Sequence, residues 1–252
     1  MKNFATPFLL AVITSLFMFE SMGQTKDTRE SFMYVYATYA FQIPGGDLSN
    51  DYGDGSDAGG GLGFKTKSGW MLGAEATYFF GNKVKNNTLE GLLNSDGQIT
   101  TMYGEPGQIV MREAGYKVMG TLGKIIPVWG SNQNSGLYFR ANAGFLQHKI
   151  YIESIGNNVP QVLGEYSKGY DRLCNGMMVG EFIGWQNFSE NGAYHFIIGF
   201  EFTQAFTANR RSWDFATNQK IDKQRLDLMY AIKLGYYIPL FRRKQSTAYF
   251  YY

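Results

Sequence analysis

The two histidines are the first residues to consider for chemistry, because histidine serves as a general base and as a metal ligand. His148 and His195 are the only histidines in the sequence. The strands predicted below place them near opposite ends of the folded unit, so they cannot share a metal ion or a catalytic triad. We expect both to make hydrogen bonds in the interior. No nucleophile with a positioned base is evident elsewhere, so the sequence predicts neither an enzyme nor a bound metal or cofactor.

A group of aspartates could bind a hard cation. Asp47, Asp51, Asp54 and Asp57 lie within one short segment, and carboxylate oxygens at short spacing can hold calcium. The pattern does not match an EF-hand loop, so we expect a solvated acidic loop instead. The single cysteine, Cys174, cannot form a disulfide within the chain.

A second set of charged residues recurs at alternate positions within apolar segments. Its members are Lys65, Glu75, Lys117, Arg140, Glu181, Glu201 and Lys233. Side chains alternate across a strand, so these residues can share one interior. In the sixth predicted strand, where the alternation is weakest, the inward positions are set by requiring Glu181 to point inward. Buried charges must be paired, because desolvation costs several kcal/mol per ion. The set therefore predicts an ion-paired lumen; an ion or proton pathway is the alternative.

The strands that would position these charges are most visible in residues 226–238. One alternate set runs from Leu226 to Ile238 and is wholly apolar or aromatic, whereas the other set is small or polar and includes Asp227 and Lys233. A tilted strand of about 9–11 residues crosses a bilayer. The segment is therefore long enough to be a membrane-spanning strand with one face toward lipid.

The same alternation predicts eight strands. They cover Phe32–Ile43, Gly59–Thr66, Trp70–Phe80, Arg112–Lys124, Leu137–Ile150, Leu173–Phe188, Tyr194–Phe206 and Leu226–Ile238. Connections after the second, fourth and sixth strands are short, and the others are long. An up-and-down barrel then carries all short turns at one end and all long loops at the other, as outer-membrane barrels do.

The N-terminus indicates export. Lys2 precedes an apolar run from Phe8 to Phe19, and Ser21-Met22-Gly23 offers small residues for cleavage. We expect a signal peptide at 1–23, a barrel at 24–241 and a periplasmic tail at 242–252. The net charge of +2 argues against a nucleic-acid partner.

The organisation resembles the small eight-stranded OmpA/OmpX-like barrels of Gram-negative outer membranes, in the style common in Bacteroidota. The residues that carry the resemblance are Met22-Gly23-Gln24, Ala40 to Asp47, Lys67-Ser68-Gly69-Trp70 and Gly235 to Phe241. Barrels of this style include components associated with type IX secretion and gliding machinery. They commonly end on an aromatic residue that signals assembly; here Phe241 and Tyr252 are both candidates.

The sequence therefore predicts a structural or interaction protein of the outer membrane, with lipid around it and protein partners at its loops or periplasmic face. The fourth loop mixes arginine with aromatic residues, a composition typical of contact hot spots. Its candidate residues are Arg210, Arg211, Trp213, Asp214 and Phe215. Two alternatives are a secreted lipocalin-like binder, with its apolar face turned inward, and an outer-membrane lipid-modifying enzyme.

Overall fold

Eight long strands form most of the structure. The computed structural model describes residues 29–128, 132–156, 158–189 and 194–240. The strand bounds are β1 (Phe32–Gly46), β2 (Gly55–Lys65), β3 (Trp70–Gly81), β4 (Ile109–Ile126), β5 (Gly136–Ser154), β6 (Cys174–Phe188), β7 (His195–Asn209) and β8 (Gln224–Leu240). The predicted signal peptide, the predicted tail and the candidates Phe241 and Tyr252 lie outside the described residues.

The strands close into a barrel. Each pairs antiparallel with the next, and β8 pairs back with β1. The closing register runs from Met33 opposite Leu240 to Gly46 opposite Asp227. Closure gives the first and last strands a partner on each side, which removes the exposed edges of an open sheet. The predicted all-β, eight-stranded antiparallel barrel is confirmed.

The first loop is shorter than predicted. β2 begins at Gly55 rather than Gly59, so loop 1 is confined to residues 47–54 and contains a single-turn helix, α1 (Leu48–Asp51). Residues 55–58 have the composition of a turn, but they pair with β1 on one side and, from Ser56, with β3 on the other. Sheet pairing on both sides therefore overrides local propensity here.

The remaining connections keep the predicted asymmetry. Loop 2 (82–108), loop 3 (155–173) and loop 4 (210–223) all lie at the loop end, opposite three shorter turns. Loop 2 holds a small hairpin, and loop 3 holds two 3-10 turns. None of the helices in the described part of the chain has both the length and the apolar character needed to cross a membrane.

The barrel has an apolar outer face and a filled interior. Ile232 and its outward neighbours on β8 are exposed, while Lys233 beside it is fully buried. Inside, an aromatic layer lies at the turn end, where Tyr36 stacks on Tyr237 at 4.6 Å. A second apolar layer, which includes Leu146, fills the loop end. The ion pairs of Lys233 with Glu75 and Glu201 lie between these layers.

The glycines of β2 make room for the aromatic layer. A Cβ on Gly61 would lie 2.2 Å from the backbone carbonyl oxygen of Ala74 and 2.6 Å from the hydroxyl oxygen of Tyr36, and that hydroxyl donates to Glu75 at 2.9 Å. Gly61→Ala should therefore displace both the β3 backbone and Tyr36, and lower the free energy of unfolding by about 1–3 kcal/mol, as overpacked cores do. Urea titration in lipid vesicles would measure this. Gly120→Ala is the matched control, because its Cβ would meet only a carbonyl oxygen at 3.9 Å; equal losses would contradict the prediction.

Candidate functional site: the charged lumen and the loop end

An ion cluster occupies the middle of the lumen. Lys233 Nζ lies 2.7 Å from Glu75 Oε1 and 2.7 Å from Glu201 Oε2. Arg140 bridges the same two carboxylates, at 2.7 Å to Glu75 and 2.6 Å to Glu201. All four side chains are at most 2% exposed. The two cations thus neutralise two carboxylates that water cannot reach.

Lys117 completes the cluster. It forms an ion pair with Asp57 and lies 3.7 Å from Glu201 Oε1. The hydroxyl of Thr77 also donates to Asp57, at 3.2 Å. Within the described residues the cluster therefore holds three cations and three carboxylates, which is charge-balanced as an ion-paired lumen requires.

Five of the seven predicted lumen charges meet in this cluster: Glu75, Lys117, Arg140, Glu201 and Lys233. Lys65 is buried but lies at the turn end, where its ammonium donates to Asn134 Oδ1 at 2.7 Å and to the carbonyl of Glu30 at 3.1 Å. Asp57 also follows the alternation of inward and outward side chains, but the predicted second strand begins at Gly59 and so does not include Asp57.

The prediction for Glu181 is wrong. Its side chain is exposed on the outer face of β6, and Phe182 is the residue that points inward. The ring centroid of Phe182 lies 5.3 Å from the guanidinium carbon of Arg140. An aromatic ring therefore faces the cluster where a seventh charge was expected.

A second group of hydrogen-bonded polar side chains lies in the lumen near the loop end. His148 Nε2 lies 3.1 Å from Asp227 Oδ2, and its Nδ1 lies 3.3 Å from the hydroxyl of Tyr52. His195 lies at the turn end, where its Nδ1 accepts from the backbone N–H of Ser189 at 3.2 Å. The two histidines are thus separated as predicted. His148, Asp227 and Tyr52 are each 1% exposed, so these three side chains are shielded from solvent.

The four aspartates of the acidic segment do not converge. Asp47 accepts from the backbone N–H of Leu226 at 2.9 Å, Asp51 pairs with Arg225 at 2.7 Å, Asp54 pairs with Lys83 at 2.7 Å, and Asp57 pairs with Lys117. The hydrogen bond from Leu226 holds the pKa of Asp47 below its usual value. The expected solvated loop is wrong for Asp51 and Asp57, which are buried. In the described ranges, no group of three or more His, Cys, Asp or Glu residues could hold a metal ion.

The predicted contact residues of loop 4 are mostly bound to their own chain. Arg211 pairs with Asp171 of loop 3, and Arg210 donates to the side chain of Asn175 at 2.6 Å. Asp214 accepts from Arg172 at 2.9 Å, and Phe215 packs edge-on against Tyr170 with ring centroids 5.4 Å apart. Trp213, by contrast, is 46% exposed. These contacts fix loop 4 onto loop 3.

Loops 2 and 3 share a small apolar core of their own. Its buried residues are Leu89, Ile99, Val159 and Val162. The backbone N–H of Met102 in loop 2 donates to the carbonyl of Asn158 in loop 3 at 2.9 Å. The two loops therefore form one structured unit, and Met102, Tyr103 and Tyr166 are exposed on its surface.

Comparisons with known proteins give similar structures but no family. No family model matches the sequence, and no curated protein matches it. The Neisserial surface protein A structure is 10% identical, covers 84% of this chain and 99% of its own, and has a TM-score of 0.48. Ail of Yersinia pestis, in complex with the heparin analogue sucrose octasulfate, is 13% identical, covers 83% and 99%, and has a TM-score of 0.40. The N-terminal β-barrel domain of Pseudomonas aeruginosa OprF is 10% identical, covers 83% and 100%, and has a TM-score of 0.37.

Proposed function

We propose that this chain is an integral barrel of a Gram-negative outer membrane that serves as a structural and interaction protein. The observation that carries the proposal is the inversion of the two faces. Apolar side chains such as Ile232 and Leu234 are exposed around the barrel, whereas Lys233 is 0% exposed and ion-paired inside. Exposed apolar surface on this scale needs a membrane or a partner to cover it. A lipocalin-like barrel would have the opposite arrangement.

Strand length agrees with a membrane crossing and an extension beyond it. β4 has 18 residues and β5 has 19, whereas about 9–11 tilted residues span a bilayer. The residues of β4 and β5 beyond the membrane-spanning length lead into the unit formed by loops 2 and 3. Arg112 and Glu153, on the outer face of these extensions, pair at 3.3 Å with both side chains nearly half exposed, as suits a position in water or among lipid headgroups.

The barrel should be closed to solutes. An eight-stranded barrel has an interior just wide enough for side chains to fill, and here buried residues such as Tyr138, Lys117 and Leu146 fill it from the turn end to the loop end. Purified protein in planar bilayers should therefore show no stable conductance. Steady single-channel steps would contradict a closed lumen and favour the ion-pathway alternative.

The interaction surface in this proposal is the loop end. Exposed large side chains there include Tyr103 and Tyr166 of the loop 2–loop 3 unit and Trp213 of loop 4. A groove of about 390 Å³ separates the end of β5 from the second half of loop 3. Aromatic side chains on a rigid base are typical of protein contacts. Membership of a type IX secretion or gliding assembly is supported only by the resemblance in sequence, and the alternative of a lipid-modifying enzyme has no reachable base among the lumen residues described.

Partner binding through loop 4 can be tested without disturbing the loop structure. Trp213→Ala should leave the barrel folded, because the side chain is exposed, and should reduce at least tenfold the protein partner recovered by mild cross-linking in membranes, since buried hot-spot residues contribute about 2 kcal/mol or more. Arg211→Ala is unsuitable because it also breaks the pair with Asp171.

Phe64→Ala, an exposed residue on the outer face of β2, is the matched control for the loss of an aromatic ring. Heat-modifiable gel mobility would verify folding of both variants. Unchanged partner recovery in Trp213→Ala would reject loop 4 as the contact and leave the loop 2–loop 3 unit as the surface to test.

A further inference from the structure

Glu113 is a buried carboxyl group without a donor. It lies on β4 with its side chain in the lumen, and it is 1% exposed. Neither of its carboxyl oxygens has a hydrogen-bond partner within the described residues, and none of the ion pairs in that part of the chain includes it. An ionised carboxyl group can only accept hydrogen bonds. Buried without a donor or a cation, such a group takes up a proton instead.

Lys117 does not neutralise Glu113. It lies four residues further along β4, and it is the cation whose charge favours ionisation of Glu113. Its ammonium group, however, pairs with Asp57 of β2 and lies 3.7 Å from Glu201 Oε1. The positive charge of Lys117 is therefore already matched by carboxylates of the central cluster.

The other groups that face Glu113 do not favour its ionisation. Asp227 of β8 adds a negative charge that opposes it. Tyr52 of loop 1 supplies only a neutral hydroxyl group, which lies 3.3 Å from His148 Nδ1. The charged groups of loop 1 and the start of β8 are already paired: Asp51 with Arg225, Asp227 with Arg225, and Asp54 with Lys83.

Gln42 is placed to be the partner of Glu113. It points inward from β1 and is 2% exposed, and its side-chain oxygen also lacks a hydrogen-bond partner among the described residues. The strand register places Gln42 opposite Gly55 and Glu113 opposite Gly81. Since β2 and β3 are neighbours, only two glycines separate the two side chains around the barrel wall.

These glycines leave a gap into which both side chains point. A Cβ on Gly55 would lie 3.1 Å from Glu113 Oε2 and 3.4 Å from Gln42 Nε2, and a Cβ on Gly81 would lie 2.9 Å from the same carboxyl oxygen. The amide nitrogen of Gln42 thus approaches one oxygen of Glu113. The Oε1 atoms of the two side chains remain as acceptors without a donor in the described structure.

We propose that Glu113 is a proton-binding site, whose carboxyl group stays protonated at neutral pH and pairs with the amide of Gln42. The Glu113 O–H donates to Gln42 Oε1, and the Gln42 N–H donates to Glu113 Oε2. Small rotations of the two side chains into the gap complete both hydrogen bonds. The bound proton gives all three unpartnered oxygens a partner, whereas an ionised Glu113 would leave two acceptors facing each other.

The site lies at the base of loop 1. The Cβ position of Gly81, 2.9 Å from Glu113 Oε2, is also 3.5 Å from the backbone carbonyl oxygen of Asp54. Counted from the turn end of β4, which has 18 residues, Glu113 lies beyond the roughly 9–11 residues that span a bilayer. The end of loop 1 therefore covers the carboxyl group, and loss of the proton at higher pH should weaken the packing of this loop on the barrel.

Infrared spectra of the protein folded in lipid vesicles test for the proton directly. At neutral pH the wild type should show a C=O band of a protonated carboxyl group that is missing in Glu113→Gln. Glu153→Gln is the matched control, because it removes an exposed carboxylate of the neighbouring strand and should leave the band unchanged. Gln42→Met should move the band to higher wavenumber, since the carboxyl group loses its hydrogen-bond partner. Identical carboxyl bands in wild type and Glu113→Gln would overturn the proposal.

The pH dependence of stability gives an independent readout. Glutamate in an unfolded chain ionises above about pH 4.3, so the folded state holds one proton more than the unfolded state. The folding equilibrium constant of the wild type should therefore fall as the pH rises from about 5 to 7, by up to about tenfold per pH unit relative to Glu113→Gln. Parallel pH profiles in urea titrations would overturn the proposal. Stabilisation by sodium chloride over choline chloride that Glu113→Gln abolishes would also overturn it, because a metal cation would then occupy the gap.

Discussion

Replacing Arg140 with methionine is expected to lower the free energy of unfolding by about 3–5 kcal/mol, the usual cost of removing one partner from a buried ion pair. Arg140 donates to Glu75 at 2.7 Å and to Glu201 at 2.6 Å inside the barrel. Without it, Glu75 keeps only Lys233 as an ion-pair partner among the described residues. Urea titration of protein folded in lipid vesicles would measure the loss.

Two controls separate burial from charge. Arg112→Met removes an exposed pair with Glu153, and such pairs contribute about 0–1 kcal/mol. Combining Arg140→Met with Glu75→Gln should recover part of the loss, because it removes the carboxylate that was left underpaired. If Arg140→Met were no more costly than Arg112→Met, the central cluster would not be the stabilising feature of the lumen.

Ile232→Arg is expected to lower the stability of the barrel nearly as much as Arg140→Met, because it adds a charge to the outer face instead of removing one from the lumen. The side chain is 51% exposed on the outer face, and a cation at the lipid-facing midplane of a barrel costs about 2–4 kcal/mol. The variant should fold poorly into vesicles and lose heat-modifiable mobility. Ile232→Leu is the control, because it keeps an apolar side chain of the same size at the same position.

Lys233, the lumen-facing neighbour of Ile232, is not expected to tolerate substitution. Strand alternation alone predicts that Lys233→Gln is well tolerated in a polar lumen. The structure predicts otherwise, because Lys233 bridges Glu75 and Glu201 and is 0% exposed. Its loss should resemble that of Arg140. If Ile232→Arg were as stable as the wild type, the outer face of β8 would not be in contact with lipid.

Alternation in the sequence was sufficient to predict the barrel, because a period of two with one wholly apolar face is typical of a strand that separates lipid from a polar interior. It failed where a residue breaks the period. The expectation that charges are buried with partners places Glu181 inward, yet its side chain is exposed. Alternation gives the two faces of a strand, but it does not identify which face a poorly patterned strand turns inward.

The contacts at the loop end could not be predicted from local sequence. Asp51 and Arg225 are far apart in the chain but meet at 2.7 Å because barrel closure places β8 beside β1. Arg211 looked like a free contact residue, and its pairing with Asp171 depends on where two loops cross. Residue composition indicated that these segments were polar, but not that they were bound to each other.

Refolding of residues 24–252 from urea, with lipid vesicles present or absent, tests whether the chain is a membrane barrel. The chain should fold only with vesicles, sediment with them and then show heat-modifiable mobility, because its exposed apolar face needs lipid. A folded, monodisperse protein in lipid-free buffer would show instead that the barrel is soluble.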